Sequence, residues 1–175
     1  MKYICLLLAI ATITFTACNT KPKASGTSNL AHIQNSATSP FSDTLRLDTF
    51  KVALEGNNAK ESKLNFKIIA HDGKEIYNTS IKGYELLKTN AKLKTESDKM
   101  NFLKDRIKYF FEDEHFLWPA VLPNEKPNNN VADLAFYDEL KQSQLNGFNY
   151  HIGEESKIYI AWSAKENKVK VYYKL

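Results

Sequence analysis

Four histidines and a run of acids are the residues best suited to chemistry in this chain: His32, His71, His115 and His151, with Glu112-Asp113-Glu114 directly before His115. Glu112 and His115 form Glu-x-x-His, a spacing that sets two metal-ligating side chains on one helical face. Di-iron carboxylate sites need two such motifs plus further glutamates, and zinc needs a third protein ligand. One motif alone supplies neither, so no metal or cofactor is assigned. Nucleophilic hydrolysis needs a Ser or Cys beside a base. No Gly-x-Ser-x-Gly elbow, phosphate-binding loop or dinucleotide glycine pattern is present. The hydrolytic or metal-dependent alternative therefore rests on His71, His115 or His151 meeting Glu or Asp partners in space.

The acids have a second reading. Glu112 and Glu114 stand among Phe110, Phe111, Phe116 and Trp118. If a helix ran to about Phe111, the acids would sit at its negative end, where each costs ~0.3–1 kcal/mol. A local rule broken in this way can mark a functional surface. Glu112, Glu114, His115, Phe116 and Trp118 form the candidate binding surface, facing a basic partner or a cation. The competing role is that the acids keep two aromatic runs soluble. Trp118, Tyr137, Tyr150, Trp162 and Tyr172 could also make a glycan platform, although alternating strand aromatics are usually core or cross-strand pairs.

These residues must be positioned by a single domain. With 24 basic and 20 acidic residues the chain carries +4, which gives no case for nucleic-acid binding. Leu64, Phe66, Ile68 and Ala70 alternate with polar residues, and Asp72-Gly73 is a hairpin signal leading to a return strand over 75–81. Between Leu47 and Phe50 the apolar parity of the segment 44–54 switches, which predicts a bulge or bend. Thr95 and Asp98 form a capping box before Met100, Leu103, Ile107 and Phe110 at helical spacing. Asn130 is the expected cap of a second helix through Val131, Leu134, Tyr137 and Leu140. Strands follow at Phe148–Ile152, Tyr159–Ser163 and Val169–Tyr173. The predicted fold class is α+β: antiparallel β-meanders, β-β-β, two helices, β-β-β, with the helices packed on the sheet.

The start of the chain is of another kind. Lys2 is followed by a mostly apolar run from Tyr3 to Phe15, too short for a membrane span, and then Thr16-Ala17-Cys18. Ala17-Cys18 resembles the lipobox of bacterial lipoprotein precursors, in a loose form similar to that of the Bacteroidota. The resemblance covers residues 1–18. It implies a signal peptide over 1–17, lipid attachment at Cys18 and a membrane partner. More than one acyl chain is needed for stable anchoring. Residues 18–43, rich in Ser, Thr, Asn and Ala, read as a flexible tether spanning about 28 Å as a coil, before a domain over 44–175. Lys21 and Lys23 favour the periplasmic face of the outer membrane over surface export. Asp43-Thr44-Leu45 resembles the O-glycosylation motif of the same bacteria. The expected role is a non-enzymatic envelope lipoprotein of binding, inhibitor or immunity type, with an envelope protein or glycan as partner. The alternative is the histidine enzyme.

Overall fold

A computed structural model describes residues 33–88, 90–153 and 155–175. Cys18, the signal segment and His32 lie outside them. The fold is α+β, as predicted, with two antiparallel four-stranded sheets.

The first sheet is a meander of β1 (Ile33–Pro40), β2 (Leu47–Glu55), β3 (Lys63–Ile69) and β4 (Glu75–Lys82). The first strand corrects the tether reading for residues 33–40; residues 18–32 of that reading lie outside the described residues. All eight residues of β1 pair with β2, from Ile33 opposite Leu54 to Pro40 opposite Leu47. Its composition concealed it because an edge strand is held through its backbone and needs few large side chains. Asn35 adds a second tie: its Nδ2 donates to the carbonyls of Ile107 and Lys108, at 3.1 and 2.9 Å. These are carbonyls that a helix end leaves without intrahelical partners.

The predicted bulge in β2 is absent, since its register against β1 and β3 is unbroken. Leu45 and Leu47 instead point to solvent, 88% and 54% exposed, and Asp48 takes the inward position ahead of Phe50, Val52 and Leu54. The Asp72-Gly73 hairpin forms as the sequence indicates. Gly73 adopts φ +88°, a conformation that favours glycine, and its N–H donates to the Ala70 carbonyl. Asp43 holds the adjoining turn, accepting from the Leu45 and Arg46 N–H groups and leaving Thr44 exposed.

After the short α1 (Gly83–Leu87) comes α2 (Glu96–Lys108), opened by the full Thr95–Asp98 capping box. It buries Met100, Leu103 and Ile107 against β1 and β2. The helix stops before the acids. Glu112 instead precedes a 3₁₀ turn, Asp113–His115, so the acids do not oppose the dipole of α2.

The second sheet runs β5 (Phe116–Leu117), β6 (Gly147–His151), β7 (Lys157–Ser163) and β8 (Lys168–Lys174). The two-residue β5 went unseen in the sequence, being too short to show alternation. Between β5 and β6 lies α3 (Leu134–Ser143), whose cap is Asp133 and not Asn130: Asp133 Oδ1 accepts from the Phe136 N–H at 3.0 Å. Val131 is drawn instead into a bridge with Tyr173.

Sheet two lies in the middle. One face meets sheet one and α2 through Phe50, Phe66, Phe110 and Phe148, with ring centroids of Phe148 5.2 and 5.3 Å from those of Phe50 and Phe66. The other face is covered by Phe136, Tyr137 and Leu140 of α3. This is why Gly147 to Tyr150 are all buried despite their alternating sequence. A 2.6 Å hydrogen bond between the Tyr77 and Tyr150 hydroxyls joins the two sheets. No helix among the described residues is long and apolar enough to cross a membrane.

Candidate functional site

Phe102, Asp105 and Arg106 of α2 and its C-cap residue Tyr109 fall at i, i+3, i+4 and i+7, one continuous face. That face looks onto the turn carrying Glu112, Glu114 and His115, and onto Tyr150 and His151 at the end of β6. Together with Leu64, Leu86 and Phe110 they line a cavity of about 220 Å³. The floor is apolar and largely aromatic, and the rim is charged.

His115 is 8% exposed and sits at the end of the 3₁₀ turn. Its Nδ1 lies 3.0 Å from Asn149 Oδ1. The Asn149 Nδ2 donates to the Glu114 and His115 carbonyls, each at 3.3 Å. The amide nitrogen is thus committed as donor and Oδ1 is the acceptor, so Nδ1 of His115 carries the proton. A neutral His115 then holds its lone pair on Nε2. Nε2 makes no hydrogen bond among the described residues; its charged neighbour is Glu114 Oε1 at 3.9 Å. Glu114 itself is 73% exposed.

His151 stands edge-on to His115, ring centroids 6.3 Å apart. Burial pushes its pKa below the ordinary histidine value, and Arg106, Lys157 and His115 push it further; only the Gly153 backbone acts in the opposite sense. His151 is therefore neutral at neutral pH. Its Nδ1 is buried with no hydrogen-bond partner among the described residues. Burial also raises the Tyr150 hydroxyl far above its usual range, so Tyr150 stays protonated and serves as wall.

The sequence-derived surface is thus divided. Glu112, Glu114 and His115 come together in the cavity, and His151 joins them. Phe116 turns into the core, its ring 5.3 Å from Phe50 and 5.0 Å from Phe148. Trp118 is 60% exposed but does not line the cavity. His71 lies elsewhere, at the end of sheet one, with its Nδ1 3.4 Å from Asp48. The five aromatics do not form a shared exposed platform: Tyr137, Tyr150 and Tyr172 are buried and Trp162 packs on the core, which leaves Trp118 as the exposed member. Among the described residues, no group of three or more His, Cys, Asp or Glu side chains is placed to hold a metal ion.

Sequence reasoning missed Asn149, Arg106 and Tyr109. The helical spacing of Phe102, Asp105, Arg106 and Tyr109 was a usable signal, because it gives α2 a second apolar-edged face. Asn149 had none. It read as the solvent side of an alternating strand, whereas β6 is covered on both faces. No protein-family model, curated protein or solved structure matches this chain.

Proposed function

We propose that the chain is a membrane-anchored envelope lipoprotein, held through lipid on Cys18, that works as a non-enzymatic binding protein of inhibitor or immunity type. The binding site is the cavity between α2 and β6. The reading is supported above all by His115, a buried imidazole fixed in one tautomer whose acceptor nitrogen has no hydrogen-bond partner within the described chain. That nitrogen faces the cavity, and beside it the Nδ1 of His151 is buried without a hydrogen-bond partner among the described residues, a state that costs ~1–3 kcal/mol and that a bound group would relieve. The Asn149 brace also suits an acid–base histidine, the enzymatic alternative. Binding is preferred because, among the described residues, no Ser, Thr or Cys lines the cavity as a nucleophile beside that base.

The test is photo-crosslinking in intact membranes. A photoreactive residue at Tyr109, on the cavity rim, should capture a ligand or partner. The same residue at Lys51, on the exposed outer face of sheet one, should not. Equal capture from both positions, or none from Tyr109, would refute the cavity as the binding site. For the anchor, Cys18→Ala should move the protein from the membrane to the soluble fraction; retention in the membrane would contradict it.

A further inference from the structure

The charges around the cavity are unequal. Among the described lining residues, Asp105, Glu112 and Glu114 supply three carboxylates, and Arg106 is the single cationic side chain besides the two histidines. The Arg106 guanidinium lies over the Phe102 ring, 4.8 Å from its centroid. An anionic ligand would meet three like charges. A cation would meet three carboxylates, and its N–H groups would find the Nε2 lone pair of His115 beside Glu114. Aromatic rings are the rest of the match. Phe110 and Tyr150 both line the floor, centroids 6.2 Å apart with planes inclined by 28°, and aromatic rings attract cations by ~0.5–2 kcal/mol.

Size narrows the class further. A volume of about 220 Å³ exceeds the ~150 Å³ of a cavity that holds benzene, so the ligand has on the order of eight heavy atoms. A bare metal ion is too small to fill it and has no set of protein ligands among the described residues.

Resting on the binding reading above, we propose that this cavity takes a small organic cation with an apolar body: a primary ammonium or guanidinium on an aromatic or aliphatic stem. The donor N–H groups go to His115 Nε2 and the Glu112–Glu114 rim, and the stem goes to the floor. The same chemistry is offered by a free amine and by a Lys or Arg side chain of a basic protein.

The test uses the full chain purified from membranes, titrated with benzylamine, benzyl alcohol and benzoate, which share shape and differ in charge. Benzylamine should bind saturably and at least tenfold more tightly than either of the others. The double variant Glu112→Gln/Glu114→Gln, exposed positions that leave the fold intact, should lose at least tenfold for benzylamine alone. If benzoate or benzyl alcohol bound as well as benzylamine, the cationic assignment would be overturned and the cavity would stand as a binding site. If none of the three bound, both would fall. Short peptides with one central Lys or Arg distinguish the sources: tighter binding than benzylamine assigns the site to a protein side chain, weaker binding to a free amine.

Discussion

Two histidine–acid neighbourhoods lie among the described residues, and they are finished to different degrees. At the corner of sheet one, Asp48 is fully buried and both its oxygens are used. Oδ2 accepts from the Ser42 N–H at 2.6 Å, and Oδ1 accepts from the His71 N–H at 2.8 Å. That carboxylate closes the β1–β2 bend onto the β3–β4 hairpin. In the cavity, Asn149 satisfies one side of His115 and leaves the other open, while His151 buries an unpaired nitrogen. A closed set of bonds is what stability requires. An open set at a cavity wall is a cost that folding alone does not explain, and it is there that a ligand is expected.

The comparison can be broken most forcefully at Asp48. Asp48→Ala strips the part-buried Ser42 and His71 backbone N–H groups of their acceptor, which should cost about 1–3 kcal/mol in urea denaturation and leave benzylamine affinity unchanged. A small loss, or a weakened ligand, would erase the distinction between the corners. Asn149→Ala should do the reverse. It should cost ~1–2 kcal/mol of stability, yet lower cavity affinity at least tenfold by freeing the His115 tautomer.

His151 sharpens the contrast through pH. Its folded pKa is depressed below the ordinary 6.5, so between the two values the unfolded chain binds more protons. Stability from this group is therefore complete above about pH 6.5 and falls as pH drops through that window. His151→Phe, which removes the unpaired nitrogen, should flatten that part of the stability–pH curve and cost little at pH 7.5. An unchanged slope in the variant would place the titration elsewhere. The smallest effect is expected from His71→Gln, about 0.5 kcal/mol or less, because Asp48 is held by backbone donors that survive the change.

What could be read from the sequence was local. The Thr95–Asp98 box and the Asp72-Gly73 hairpin are completed within four residues and appeared as expected. β1 was hidden because its support is the β2 backbone and the end of α2, which no window around residues 33–40 contains. Asp48 resembled a break in the strand pattern, since a buried carboxylate at an inward position violates the alternation rule unless its donors are known. The site was half visible. Glu112, Glu114 and His115 stood out as a cluster, but their meaning depends on Asn149, His151 and the Arg106 face, brought near only by tertiary packing. The histidines that looked equivalent in sequence separate once each nitrogen is followed to its partner.

The most direct test is nitrogen NMR of the histidine side chains during a benzylamine titration. The expected result is a free protein with His115 protonated at Nδ1, and an Nε2 signal that moves to saturation as ligand is added while the His71 signals stay fixed. A proton on Nε2 in the free protein, or His71 and His115 responding alike, would contradict the claim that the open hydrogen bond of His115 belongs to a ligand.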